Sequence, residues 1–497
     1  MSQEKMRQHP RSQRPINLLP TTVKQEDRSH TRDVASLQTT RSPSSLSRRL
    51  GSSLLLFCLL CSFLLLLPSN FGRSSSSSHH LDPLGGPLRS LLVRLLPSIS
   101  AEERKEEDVN LSRAKRILSK HPLIDGHVDV PVYSRYVYKN RVEDIPFDLP
   151  PTQNGTFPMP GQVDIPRLRL GRSGGYFWSA YVACPTKEEV GENFENASKT
   201  QAIQETMEQF DVIKQFVDKY PKEFEFTSTA KSARKAFSKG KMISFIGLEG
   251  GHSLGNSLHT LRAFASLYKK EGEIVGPMRY LTLTHTCHNV WADSSSEQPP
   301  RWNGVSPFGV RLIHELNRLG IVPDLSHTSD STTSQAIRIS KGPVMLSHSS
   351  ARNLTGDSVV RNVPDSILHQ LKTSWIQQGK DNIVMINVLP DFLGGARDLE
   401  TIVNHVEHIS SIVGRDHVGL GTDFDGMLES PIDFQDVTRY PHLVARLLAR
   451  GWSEKEVIDF SGRNVLRVLE SAERLAVQLE REGERPDNSR FEDFFPS

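Results

Sequence analysis

The sequence predicts an α/β protein whose parallel sheet closes into a (β/α)8 barrel of the TIM type, preceded by a single N-terminal transmembrane helix. Two observations carry the barrel. From about residue 110 onward eight short apolar runs alternate with amphipathic stretches, and ionisable residues gather at the C-terminal ends of those runs. A third observation, an uncharged leucine-rich segment near the start, carries the membrane helix.

The first four runs are PLIDGHVDV (122–130), YFWSAYVA (176–183), MISFIGLEG (242–250) and RYLTLTHT (279–286). GIVPDLSH (320–327), PVMLSH (343–348), NIVMINVL (382–389) and HVGLGTDFDG (417–426) complete the set. Between them, SLHTLRAFASLYKK, PFGVRLIHELNRLG and LETIVNHVEHISSIVG repeat apolar residues at three- and four-residue spacing, the helical period. Near-continuous apolar strands separated by helices indicate a parallel sheet covered on both faces. Eight such units favour a closed barrel over an open doubly wound sheet. No glycine-rich dinucleotide or phosphate-loop fingerprint opens the first helix, which argues against nucleotide-binding folds. Residues 131–175, rich in proline and glycine, read as long loops.

Composition agrees: 497 residues, 37% hydrophobic and 24% charged, suit a globular protein. A formal net charge of +2, with no basic patch interleaved with aromatics and no zinc-finger spacing, excludes nucleic acid as a partner class. Residues 1–49 carry ten Lys/Arg against four Asp/Glu and no apolar periodicity, so a disordered basic cytoplasmic tail is expected. Residues 50–72 carry no charge, and their core SSLLLFCLLCSFLLLLP is long enough to span a bilayer, which takes roughly 17–25 residues. A cleaved signal peptide is the competing reading; the long preceding region and the lack of a small-x-small cleavage site favour an uncleaved signal-anchor. Arg41, Arg48 and Arg49 on its N-terminal flank place the rest of the chain on the lumenal or extracellular side, a single-pass type II arrangement. A Ser-rich linker and stalk (73–109), the (β/α)8 domain (110–480) and a polar tail (481–497) follow. Sequons at Asn110, Asn154, Asn196 and Asn353 are compatible with a lumenal, N-glycosylated domain.

In such barrels chemistry gathers at the C-terminal ends of the strands. His127 and Asp129 close the first run, two residues apart and therefore on one face. Glu249 closes the third, His285 the fourth, His327 the fifth, His348 the sixth, and Asp423 and Asp425 the eighth. Any one of them alone has an ordinary explanation: a hydrogen-bonded core histidine, a glycine turn, a helix cap. Taken singly, those explanations leave their common placement unexplained, whereas a metal site accounts for it. Histidine nitrogen and carboxylate oxygen are the usual ligands of hydrolytic zinc. Three His, one Asp and one Glu are too many for one tetrahedral ion with a free position, but two ions sharing a carboxylate use them all. A two-metal hydrolase is the expectation.

LIDGHVDV, GLEGGHSL, RYLTLTHTC, VPDLSH, VMLSHSSA, RNVPD and GTDFDG also occur in an order that resembles the membrane (renal-type) dipeptidase family of zinc metallopeptidases, from about residue 113 to 475. The resemblance implies a barrel of the amidohydrolase type holding two Zn2+. It implies that His127 and Asp129 bind one ion, His327 and His348 the other, and that Glu249 bridges them. It gives His285 the oxyanion of the tetrahedral intermediate, Arg361 of RNVPD the substrate carboxylate, and Asp423 the substrate amine and the transferred proton. Asp425 ranks lower as an orienting group, and Asp125 reads as structural. Clamps for carboxylate and amine at a fixed separation would select dipeptides. Cys184 and Cys287 match positions that form a disulfide in the family. A homodimer is compatible with the resemblance, although a second family disulfide has no cysteines here. The mammalian members carry a C-terminal lipid anchor; SRFEDFFPS lacks the hydrophobic tail this needs, so the N-terminal segment would replace it. YKKEGEIVGPM (268–278) is an insertion, and the loop between His348 and Arg361 is about two residues longer than the family pattern.

The expected function is therefore a broad-range zinc membrane dipeptidase. One alternative keeps fold and metals but changes the amide to a cysteinyl-glycine conjugate, a D-amino-acid dipeptide or a β-lactam. A more remote one is an inactive surface binding protein; a complete set of ligands, acid/base and clamp argues against it.

Overall fold

The computed structural model describes residues 101–185 and 199–495. The expected tail, transmembrane segment and most of the stalk, with Asn196, lie outside these residues. No helix among the described residues is long and apolar enough to cross a membrane.

Among the described residues nine strands form one sheet: β1 (Leu123–Val128), β2 (Ser173–Tyr181), β3 (Phe224–Phe226), β4 (Met242–Glu249), β5 (Met278–Thr282), β6 (Val322–Asp324), β7 (Met345–Leu346), β8 (Ile383–Ile386) and β9 (Val418–Leu420). Eight of them run in the order β1-β2-β4-β5-β6-β7-β8-β9, all neighbours parallel, and match the eight apolar runs. The ring is nearly closed where Val128 bridges Phe424 in parallel and the Asp423 N–H donates to the His127 carbonyl at 3.0 Å. The three-residue β3 pairs with β4 outside the ring. It is a feature that the apolar pattern did not announce.

Strand periodicity divides the core in two. Along β4, Ile243 and Phe245 belong to an inner cluster with Phe177, Tyr280, Met345 and Met385, while Ile246 and Leu248 pack outward with the helix-facing core. Residues 243, 245, 247 and 249 therefore share the inner face, which aims Glu249 into the barrel. Helix Asn464–Arg481 adds Val465, Leu466, Val468, Leu469 and Ala472 to that inner cluster.

The stretch 131–175 holds the long loop expected of it between Tyr138 and Ile165, where only the short 3-10 turn Val142–Asp144 forms, but a helix stands at each end of that loop. Helix Val130–Tyr138 takes Pro131 in its first turn, and helix Ile165–Leu170 takes Pro166 there with Asp164 capping the Arg167 N–H at 2.7 Å. Proline tolerates the first helical turn because that N–H has no intrahelical partner. Pro131 and Pro166 mark helix starts, while Pro146, Pro150, Pro151, Pro158 and Pro160 lie in the loop between them.

Candidate active site

Each barrel strand delivers a side chain to one end of the barrel. His127 lies inside β1, and Asp129 follows as the N-cap of the next helix without making a side-chain cap bond, which leaves its carboxylate for the site. Glu249 ends β4; His285, His327 and His348 stand two or three residues beyond β5, β6 and β7; Asp423 stands three beyond β9. His327 (φ 64°), Asp423 (φ 69°) and Asp425 (φ 66°) occupy left-handed backbone that side chains ordinarily avoid. Such strain clusters at functional sites, where surrounding structure enforces it. Gly426 has a plain reason to be glycine: a Cβ there would overlap the carboxylates of Asp129 and Asp423.

The groups converge on Glu249. Its Oε2 lies 3.5 Å from His127 Nε2, and its Oε1 lies 3.2 Å from His327 Nε2 and 3.4 Å from His348 Nε2. His127 Nε2 also faces Asp129 Oδ2 at 3.4 Å and Asp423 Oδ1 at 3.9 Å. The two Nε2 atoms of His327 and His348 stand 2.9 Å apart. One carboxylate thus divides two ligand groups, {His127, Asp129} and {His327, His348} in the sequence expectation, between its two oxygens.

This donor set fits metal ions. His127 Nε2 and Asp129 Oδ1 are buried without hydrogen-bond partners, although both are polar atoms aimed into the site. Burial would push the His127 pKa down, but the Tyr280 oxygen, Glu249 and Asp129 hold it well above its ordinary value. Burial and the nearby charges of Arg361 and neighbouring histidines push His327 and His348 well below theirs, so both offer neutral imidazoles. Burial likewise opposes ionisation of Glu249, yet His127 and His285 hold it well below the carboxylate range. A carboxylate beside the neutral imidazoles of His327 and His348, in a pocket that attracts positive charge, suits a cation.

Around this centre lie the groups expected to handle substrate. His285 Nε2 is 3.7 Å from Glu249 Oε1, and its ring packs 4.3 Å from that of His327 and 4.7 Å from that of Tyr181. Arg361 is buried, donating to the His348 carbonyl at 2.8 Å and to Ser349 Oγ at 2.9 Å while its Nε has no partner. Burial raises the Asp423 pKa. Asn387 Nδ2 donates to Asp423 Oδ2 at 3.0 Å. Asn387 and Tyr181, at the ends of β8 and β2, are site residues that the reading for metal-type side chains passed over.

Asp425 and Asp125 turn away from the centre. Asp425 accepts from the Gln162 N–H at 2.5 Å, and burial pushes its pKa up to about 7. Asp125 is fully buried and accepts from Thr422 N, Thr422 Oγ1 and Tyr440 Oη at 2.8, 2.6 and 2.6 Å, tying β1 to the segment after β9. Cys184 and Cys287 form a disulfide. Asn154 and Asn353 are exposed, whereas Asn110 is 5% exposed and accepts from Arg113 at 3.2 Å.

The sequence profile of the membrane dipeptidase family (peptidase family M19) matches residues 111–483. The chain belongs to the membrane dipeptidase family. It is 37% identical over 368 residues to an uncharacterised dipeptidase of Schizosaccharomyces pombe, covering 73% of this chain and 84% of that one. Against dipeptidase aclJ of Aspergillus oryzae it is 37% identical over 375 residues, 74% and 82% of the two chains. Among solved structures, a metallopeptidase of Rhodobacter sphaeroides, liganded with a phosphinate mimic of L-Ala-D-Ala, superposes with a TM-score of 0.58 at 25% identity, covering 71% of this chain and 99% of its own. The probable dipeptidase PvdM of Pseudomonas aeruginosa, at 19% identity and a TM-score of 0.61 over 74% and 100% of the chains, shares the fold. Membership in this family makes the chain a metal-dependent peptide hydrolase of the dipeptidase kind.

Proposed function

We propose that this member of the family is a zinc dipeptidase of broad range, working through a two-ion centre bridged by Glu249. The observation that carries the reading is the split of the Glu249 carboxylate, Oε2 towards His127 and Oε1 towards His327 and His348. His127 and Asp129 would hold one ion, His327 and His348 the other. Bound zinc supplies a nucleophile at neutral pH from water and polarises the scissile carbonyl. The protein's own groups do the rest. His285 donates to the oxyanion as the carbonyl becomes tetrahedral, a contribution typically worth a few kcal/mol. Arg361 offers its unpartnered Nε to the substrate carboxylate from a guanidinium already pinned by two bonds. Asp423, steadied by Asn387, receives the proton from the attacking water and passes it to the leaving amine.

The test is zinc content and turnover of the purified full chain on a panel of dipeptides, with and without chelator. About two zincs per chain and chelator-sensitive hydrolysis are expected; fewer zincs, or no turnover on any dipeptide, would overturn the reading. The phosphinate-bound relative favours adding dipeptides with a C-terminal D-residue to the panel. Cysteinyl-glycine conjugates and a β-lactam complete it. Replacing His285 should depress turnover with zinc content retained.

The uncharged segment 50–72 supports a further part of this proposal, anchorage in a membrane with the catalytic domain on the lumenal or extracellular side. Alkaline carbonate should leave the full chain in the membrane pellet, and deletion of 50–72 should release it. Release of the full chain would refute the anchor.

A further inference from the structure

The sequence uses one local device twice. In both Asp125-Gly-His127 and Asp324-Leu-Ser326, a buried aspartate accepts from the backbone N–H two residues on, at 3.1 and 3.2 Å. Each aspartate then crosses to another strand end and takes both the N–H and the hydroxyl of one residue there, Thr422 for Asp125 and Ser347 for Asp324. The two copies differ in what comes next. Ser347 touches a histidine ring; Thr422 does not.

We propose that Asp324, acting through Ser347, is a positioning residue that fixes the tautomer of His348 and holds its Nε2 lone pair towards Glu249. One half of the metal centre then depends on this relay and the other half does not. The inference rests on the two-ion reading given above.

The hydrogen-bond inventory determines the direction of the relay. Asp324 is fully buried. Its Oδ1 accepts from Ser326 N at 3.2 Å and Ser347 N at 2.8 Å, and backbone N–H groups can only donate. Its Oδ2 accepts from Thr282 Oγ1 at 2.6 Å and Ser347 Oγ at 2.7 Å. The Ser347 hydroxyl has one proton, and the carboxylate takes it. What Ser347 presents to His348 Nδ1, 2.7 Å away, is therefore a lone pair. That contact is attractive only when Nδ1 carries the hydrogen, and a neutral imidazole protonated at Nδ1 has its lone pair on Nε2. Nε2 is the atom 3.4 Å from Glu249 Oε1 and 2.9 Å from His327 Nε2. A carboxylate that orients and polarises a metal-binding histidine is a common arrangement; here a serine hydroxyl carries it.

The other half of the centre is built differently. His127 Nδ1 meets the neutral phenol of Tyr280 at 2.7 Å, and Gly247 opposite makes room for that ring, since a Cβ there would overlap it. Asp125 reaches the His127 backbone, Thr422 and Tyr440, but no ring nitrogen. It is an internal control with equal burial and a similar bonding pattern.

The experiment titrates Zn2+ onto the full chain against a chromophoric chelator of known affinity, for the wild type and the Ser347→Ala, Asp324→Asn and Asp125→Asn variants, with the melting temperature of each. Wild type should take up two equivalents. Ser347→Ala should weaken one equivalent roughly 10- to 100-fold and leave the other as in wild type. Asp324→Asn should weaken the same equivalent further, because an amide NH2 facing Ser347 turns the hydroxyl proton onto His348 Nδ1 and inverts the tautomer. Asp125→Asn should lower the melting temperature while both equivalents keep their affinity. Two wild-type-like equivalents in both Ser347→Ala and Asp324→Asn would overturn the proposal. So would equal weakening of both equivalents, or an Asp125→Asn variant that loses zinc as readily. A wild type with fewer than two equivalents would instead overturn the two-ion reading beneath it.

Discussion

Asn387 can hold Asp423 in only one way. Its Oδ1 accepts the Leu389 N–H at 2.5 Å, so its NH2 must face outward, and it donates to Asp423 Oδ2 at 3.0 Å. Losing that bond would free the carboxylate to rotate away from the proton path proposed for it, without touching any of the proposed metal ligands. Asn387→Ala is expected to lower kcat about tenfold, near 1.4 kcal/mol of barrier, with KM and zinc content little changed; steady-state kinetics beside metal analysis checks this. His252 allows a prediction about acid stability. Burial pushes its pKa down to about 4 from 6.5, and its Nε2 donates to the Val182 carbonyl at 2.9 Å. The folded state binds this proton more weakly than the unfolded state, so the associated stability is complete above pH 6.5 and is lost as pH falls towards 4. Wild type should therefore lose roughly 3 kcal/mol more than His252→Gln between pH 7 and 4, by denaturant unfolding at each pH. Equal losses would show that His252 is not the group responsible. At this scale the sequence makes charged and metal-type residues conspicuous, which is why His127, Glu249, His327 and His348 stand out from spacing alone. Asn387, Tyr181 and Ser347 give no such signal. A polar residue at a strand end is common, and only the positions of its partners show what it holds.

The strands were legible as elements for a reason that also limits the reading. A strand buried on both faces must be apolar along its length, so each one shows as a run. The runs, however, extend past the hydrogen-bonded ladder: β5 stops at Thr282, while its run continues through His285. Beyond the last ladder bond the chain still points into the barrel mouth, and this is where the histidines sit. The short β3 pairs on one side only, with β4, and its three residues FEF are too few to show a period. The disulfide acts at this scale. It joins the end of β2 to the segment that follows His285, across a sequence separation of 103 residues. Chain entropy assigns a closure of that length about 4–5 kcal/mol. A Cys184→Ser, Cys287→Ser double variant should lose stability of that order in denaturant unfolding. Because Cys287 lies two residues from His285 and far in sequence from His127, His327 and His348, the proposed zinc ligands, turnover should fall more than zinc content does. Parallel loss of zinc and turnover would mean that the bond supports the whole barrel mouth rather than the His285 segment.

For the whole molecule, the proposed metal centre is a cross-tie. His127, Asp129, Glu249, His327 and His348 come from β1, β4, β6 and β7 or the segments just after them, so ions held among them would connect strands around the barrel mouth. Without a cation, Asp129, Asp423 and Glu249 place carboxylates within 3.9 Å of the same His127 nitrogen, and like charges so placed oppose closure. Chelation should therefore destabilise the fold as well as abolish turnover. A ligand bound only by the native state at a thousand times its Kd stabilises it by about 4 kcal/mol. The expected result is a lower unfolding midpoint in chelator that is restored by zinc. Glu249→Gln separates the two contributions, because it removes both the bridge and one of the repelling charges. Its metal-free form should be as stable as metal-free wild type or more so, while its response to added zinc should shrink sharply. A Glu249→Gln variant that gains as much stability from zinc as wild type would show that Glu249 does not join the two halves of the site.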